Sequence, residues 1–293
     1  MTAATEIEAL LKSMFPSGHP VLCSSGRSAL SLALIESGAS RGDLVGVFPY
    51  ASHCVLDVVS RITTPLAGPS SLKASARIVY HQWGYVQETM LVNNLIDDCV
   101  DTLCVPGAAL FPGGGRFEIW SLPKIIGTTS GGVLWCKNEE TANELRSLRD
   151  SRSGGLFQWI IRLLIPFFRK LYLFWHAAEC EGGKVSRFQS GEILLAIQKW
   201  PDFVSRRQSY LEKIWPLAVD WLEKPWQRLP TVVPVDIALA ENKLKKLGVL
   251  SGSRMFECVA VGGLREVKKV VPIPIHQYVS ESWLTTVVKE LTS

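Results

Sequence analysis

What this sequence lacks narrows the reading first. It has seven cysteines, at 23, 54, 99, 104, 136, 180 and 258, yet no two of them form a CxxC pair. That spacing excludes a zinc knuckle and a thioredoxin-like redox motif. Cys99, Cys136 and Cys258 sit inside apolar runs, where a reduced cysteine acts as a small hydrophobe. No cluster of histidines accompanies the acids, so no metal site is expected. A net charge of +4 is too mild for the basic face that nucleic acid requires. The most apolar stretch, residues 154–179, is interrupted by Arg162, Pro166, Arg169 and Lys170, so it is not a clean membrane span. The opening MTAATEIEALLKSMF is amphipathic and carries acids, unlike a secretory signal peptide. A reducing cytoplasm is the expected setting.

What is present has the composition of a folded chain. With 47% hydrophobic and 20% charged residues it is not disordered, and 293 residues can bury a sizeable core. Residues 5–14 predict a short helix. SSGRSALSLALIESGA (24–39) opens with small polar residues and continues as a helix, with a stop at Gly38. LVGVFPY (44–50) reads as a buried strand ending at Pro49, and Val55 to Ile62 as a helix. RIVYHQWG (77–84), LVNNLIDDC (91–99), GRFEIWSL (115–122) and GGVLWCK (131–137) read as strands. Strands alternating with helices imply an α/β fold with a mostly parallel central sheet flanked by helices. Ligands of such sheets sit outside the carboxyl ends of the strands. Pro49, Gly84, Asp97-Asp98 and Lys124 all fall at or just beyond strand ends.

From about residue 186 the pattern changes. FQSGEILLAIQKW and FVSRRQSYLEKIWPLAVDWLEK read as long helices. VVPVDIAL, RMFECVAV and KKVVPIPI follow as apolar or alternating segments, and ESWLTTVVKEL as a last helix. This gives a large domain over 1–185 and a small α+β domain over 186–293. The apolar stretch 154–179 has two readings. One is a buried helix pair bent at Pro166, or a dimer contact. The other is an interfacial helix lying on a membrane surface.

Three short segments carry chemistry. In SSGRSAL a helix start leaves free backbone N–H groups and a positive dipole end at Gly26, Arg27 and Ser28. That suits an anion, although a plain helix cap looks the same. In LIDDCVD, Asp98 suits a helix cap, a metal ligand or a partner for a cationic ring nitrogen. Lys124 in WSLPKIIGTTSGGVLWCKN is either a surface charge or an amine for a Schiff base. Taken in order, the three supply what pyridoxal phosphate (PLP) needs: a helix N-terminus for its phosphate, a carboxylate for its ring nitrogen and a lysine for its aldehyde.

In that order and wording the sequence resembles the DegT/DnrJ/EryC1/StrS family of PLP-dependent sugar aminotransferases. SSGRSALSLAL resembles the family's SGTAALHLAL. LVGVFPYASHCVLDVV resembles its strand ending in a proline and an aromatic-rich turn, and VYHQWG its H-x-x-G strand end. LIDDCVDTL resembles IEDAAQA, and SLPKIIGTTSGGVLWCKN the lysine segment with its GG strand. FVSRRQSYLEKI resembles the RR-x-NY helix of some members, and VVPIPIHQYVSESWLTTVVKEL the C-terminal ending. The resemblance implies the fold-type I PLP-transferase architecture and a homodimer. It implies Lys124 as the Schiff-base lysine and Asp98 as the partner of the ring nitrogen. Gly26, Arg27, Ser28 and Ser121 are then placed at the cofactor phosphate, and His53 on the ring, with Tyr50 as the alternative. The implied reaction moves an amino group from an amino acid, glutamate by family habit, to a nucleotide-linked keto-sugar in glycan or secondary-metabolite biosynthesis. The sequence departs from the pattern at four points. Arg27 replaces a threonine and Ser28 an alanine. Asp101 stands where the family has Gln or His. Ile119 occupies the place of the phosphate-binding serine, five residues before the lysine, with Ser121 three before. These departures and the short chain leave an alternative: a divergent member that binds cofactor or sugar without transaminating, in a regulatory or scaffolding role.

Overall fold

The computed structural model describes residues 2–67, 74–87, 94–152, 156–246, 253–259 and 265–293. Helix α1 (Ala3–Met14) starts where the Thr2 hydroxyl accepts the Thr5 N–H. Strand β1 (His19–Cys23), helix α2 (Gly26–Glu36), β2 (Leu44–Val47), α3 (His53–Ile62), β3 (Thr64–Ala67), β4 (Ala76–Tyr80) and β5 (Leu95–Asp98) follow. Next come β6 (Leu103–Cys104), β7 (Phe117–Ser121), α4 (Leu122–Ile126), β8 (Gly132–Cys136) and α5 (Glu139–Asp150). The sequence pattern found β2, β4, β5, β7, β8 and the first three helices. It did not reveal β1, β3, α4 or α5. The stretch 91–93 of the expected fifth strand lies outside the described residues.

Seven of these strands form one sheet in the order β1-β8-β7-β5-β4-β2-β3. Pairs β2/β3, β2/β4, β4/β5 and β5/β7 are parallel, while β8 runs antiparallel to both β7 and β1. The reversal follows from connection length. Parallel neighbours need a crossover of about a dozen residues or more, and Leu122–Gly131 is shorter than that. All four residues of β5 are buried, as a central strand covered on both faces requires.

The chain continues with α6 (Leu156–Leu164), α7 (Leu171–Glu181), α8 (Arg187–Gln198) and α9 (Trp200–Ile214). It ends with β9 (Arg228–Leu229), β10 (Val232–Val235), α10 (Ile237–Lys246), β11 (Arg254–Val259), β12 (Arg265–Pro274) and α11 (Glu281–Thr292). Strands β10, β12 and β11 form a three-stranded antiparallel sheet. The long helix expected over 203–224 stops at Ile214, because Pro216 follows and only a 3-10 turn over Trp215–Leu217 continues it. One apolar cluster joins α1 to α4, α8, α9, β10, β12 and α11 across the 185/186 boundary. It includes Phe15, whose ring meets Trp120 at 5.0 Å and Trp135 at 5.8 Å, both edge-on.

The described part of stretch 154–179, from residue 156, is a helix pair broken across Pro166, but the pair is not buried within this chain. Ile161 and Cys180 are covered, whereas Phe157, Leu163, Phe167, Phe168 and Phe174 are exposed. Among the described residues no helix is long and apolar enough to cross a membrane, and no three His, Cys, Asp or Glu side chains could hold a metal ion.

Candidate functional site

A cavity of about 570 Å³ lies at the carboxyl ends of β2, β4, β5 and β7, within the size range of cofactor sites. One end of it is made by the turn from β1 into α2, a helix N-terminus of the kind that suits an anion. Ser25 caps α2, its hydroxyl accepting the Ser28 N–H at 3.1 Å. Two glycines seat β8 against this turn. A Cβ on Gly132 would lie 2.4 Å from the Ser25 carbonyl carbon. Gly131, at φ +104, donates its N–H to the Ser24 carbonyl at 2.8 Å. The Gly-Gly pair after the lysine therefore lets β8 pack closely against the turn into α2.

Gly26, Arg27 and Ser121 line this end of the cavity. Gly26 and Ser121 are neighbours: a Cβ on Gly26 would stand 3.3 Å from that of Ser121. Ser130 also lines it, and its buried hydroxyl has no hydrogen-bond partner among the described residues. Sequence reasoning missed Ser130. Ser28 does not reach the cavity. It is fully buried and donates to the Gly182 carbonyl at 2.5 Å, because the first turn of α2 points it under the α7 end.

Arg27 is held from three sides. Its guanidinium lies 3.0 Å from the Glu179 carboxylate, stacks 4.7 Å above the Trp175 ring and donates to the Cys54 sulfur at 2.8 Å. Trp175 and Glu179 both belong to α7, so the apolar stretch contributes to the wall of the cavity beside the α2 N-terminus. Nothing in the sequence pairs residue 27 with residue 179.

The carboxylates come from the end of β5 and the turn after it. Asp98 ends β5, buried, and accepts the Val100 N–H at 3.3 Å. Burial pushes its pKa up to about 7; the Lys124 charge opposes that rise and the Asp101 charge adds to it. Its neighbour Asp97 points to the other face of the strand, as β alternation dictates. There it accepts from His81 Nε2 at 2.9 Å and from the Gly115 N–H at 2.9 Å. His81 Nδ1 accepts the Gln87 N–H at 3.0 Å, which leaves Nε2 as the protonated nitrogen. Of the two adjacent acids, Asp98 alone lines the cavity.

Lys124 sits on the short helix α4, not in a loop, with its side chain half-exposed into the cavity. Its amine is 3.2 Å from Asp101 Oδ1, and the Tyr80 hydroxyl donates to Asp101 Oδ2. Burial alone would lower the amine pKa, but the charges of Asp101 and Asp98 outweigh it and raise the value. His53, expected on the ring, is the first residue of α3 and faces outward. Its Nε2 lies 3.4 Å from the Tyr172 hydroxyl, and it does not line the cavity. The aromatic side chains that line it are Phe48, Tyr50, Tyr80, Trp83 and Trp175. Trp83 takes φ +58, a strained conformation for a bulky residue, while its ring packs 5.4 Å from Phe256.

The turn that carries Lys124 is clamped from the C-terminal half. Arg207, buried on α9, donates to the Ile125 carbonyl at 3.1 Å and to Gln277 Oε1 at 2.9 Å. Burial pushes its pKa down to about 9, opposed by the charge of Asp101. Tyr278 donates to the carbonyl of Gly127 at 2.6 Å, where α4 ends at φ +76. The residues present fit PLP: an amine, a buried carboxylate, an unpartnered serine hydroxyl and a helix N-terminus line one cavity.

Residues 7–291 match the model of a family described as "Putative PLP-dependent aminotransferase". No curated protein matches the sequence. Solved structures share the fold. A DegT DnrJ EryC1 StrS aminotransferase from Brucella abortus superposes with a TM-score of 0.63 at 16% identity, over 99% of this chain and 89% of that one. DesV of S. venezuelae, crystallised with a ketimine intermediate, gives 0.64 at 16%, over 99% and 88%. The sugar aminotransferase CalS13 from Micromonospora echinospora gives 0.63 at 16%, over 99% and 91%.

Proposed function

Since this chain belongs to the family of PLP-dependent aminotransferases, we propose that it carries an amino group from glutamate to a nucleotide-linked keto-sugar, with Lys124 and Asp98 as its catalytic residues. The observation that carries this reading is the Lys124 amine, half-exposed in a cavity that also holds the buried Asp98. When bound, the cofactor supplies an aldehyde that takes up the amine and a ring that receives the electron pair released at the substrate carbon.

The chain's own residues do the rest. The α2 N-terminus at Gly26 and Arg27, with Ser121 and Ser130, holds the phosphate. Asp98 keeps a proton on the ring nitrogen. A cation set against it favours its charged form and lowers its raised pKa. Lys124 moves a proton at the donor α-carbon, which requires its neutral amine. Tyr50 and Phe48 supply aromatic faces where His53 was expected to. Arg254, on β11 at the cavity wall, suits the anionic groups of both glutamate and a nucleotide-linked sugar. We read the enzyme as a cytoplasmic homodimer acting in glycan or secondary-metabolite assembly. The support for a sugar acceptor is the likeness of the fold to sugar aminotransferases.

Borohydride treatment of the PLP-loaded protein should fix the cofactor on the Lys124 peptide, read by peptide mass. A Lys124→Ala protein that still gives a reduced adduct sinks the assignment. Addition of glutamate should convert the visible spectrum to that of the aminated cofactor. An unchanged spectrum rejects glutamate as donor.

A further inference from the structure

The largest feature that the site does not use is the outer face of the α6–α7 pair. Pro166, Phe167, Phe168, Arg169 and Lys170, at the tip between the helices, are exposed in succession. Phe167 is 79% exposed and Phe168 60%, and Phe157 and Phe174 on the flanking helices are 65% and 66% exposed. An aromatic patch of this kind marks a surface that something covers. We propose that this hairpin docks on an anionic lipid bilayer, seated through Phe167, Phe168, Arg169 and Lys170.

Length, charge and anchoring support that occupant. Helix α6 has nine residues, about 14 Å of helix, against a hydrocarbon core of about 30 Å. Such a helix lies in the interface and cannot cross it. Between Asp150 and Glu179 the sequence holds no carboxylate, but it does hold Arg152, Arg162, Arg169 and Lys170. Arg169 and Lys170 stand exposed at the tip, and a second copy laid two-fold on it would meet these two cations with its own. Anionic headgroups supply the missing charge, and phenylalanines beside basic residues are suited to the headgroup boundary. The other end of the hairpin is fixed to the protein. Glu179 pairs with Arg27, and the Cys180 thiol donates to Asp57 at 3.4 Å. The tip is therefore the end free to enter a bilayer.

The test is flotation of the full PLP-loaded chain with phosphatidylcholine vesicles, with and without phosphatidylglycerol. The wild type should float with the anionic vesicles and lose them as salt rises. Phe167→Ser with Phe168→Ser should abolish flotation, with the visible spectrum of the bound cofactor unchanged. Arg169→Gln with Lys170→Gln should lower partitioning roughly 30-fold, the loss expected for two cations at an anionic surface. No flotation of the wild type overturns the proposal. So does a result in which the serine pair turns a dimer into a monomer by light scattering while the wild type ignores vesicles, because the face is then covered by a second copy.

Discussion

Lys124 and Asp101 stand 3.2 Å apart, and the same carboxylate accepts the Tyr80 hydroxyl. The amine proposed to hold the cofactor is thus favoured in its charged form by an acid at a position where the family resemblance implies Gln or His. Asp101→Asn removes the largest of the charges that raise the Lys124 pKa. The pH midpoint for adduct formation between the apoprotein and PLP, followed by absorbance, should move to lower pH. A midpoint that stays in place shows that Asp101 does not control the amine.

Asp98 makes the apoprotein pH-sensitive in a defined direction. Its folded pKa of about 7 lies above the ordinary 3.8. Between those values the folded chain keeps a proton that the unfolded chain has lost, so its contribution to stability falls as pH rises from about 4 to about 7. Asp98→Asn removes that decline. The melting temperature of the variant relative to wild type should climb across this window, by calorimetry on apoprotein. A constant difference argues against a raised pKa.

The two glycines at 132 and 191 should respond in opposite ways to alanine. At 132 the new Cβ meets the Ser25 backbone at 2.4 Å. Overpacking there should cost about 1–3 kcal/mol in urea denaturation and weaken PLP binding, because it pushes on the turn into α2. At 191, inside α8, a Cβ meets nothing within 4 Å. Gly191→Ala should stabilise by about 0.5–1 kcal/mol and leave PLP affinity alone.

Arg207 should matter more than its distance in sequence from the lysine implies. Arg207→Ala leaves the Ile125 carbonyl without its buried donor. We expect a loss of about 2–4 kcal/mol in urea denaturation, together with faster PLP release. Arg207→Lys keeps the charge but not the planar fork, so it should recover only part of both. Full stability in the alanine variant would remove the clamp from the account.

Much of the architecture was legible in the order of segments. Apolar runs of strand length separated by helical patterns define a parallel α/β sheet, because burial on both faces demands such runs. The Lys124 segment and the acids at 97 and 98 were visible as candidates because strand ends are where such folds place ligands. Helix α4 was not legible, since five residues carry too little periodicity to show a helix.

The sequence by itself determined which chemical groups are available and in what order along the strands. Only the tertiary structure decided which of them meet. Strand register turns Asp98 into the cavity and Asp97 onto His81. The start of α3 turns His53 away and leaves Tyr50 at the wall. Packing of α7 brings Glu179 to Arg27, and packing of α9 brings Arg207 to the lysine turn. The physical reason is that local patterns record each element's own periodicity, whereas contacts between residues 152 or 82 positions apart arise only when the elements pack.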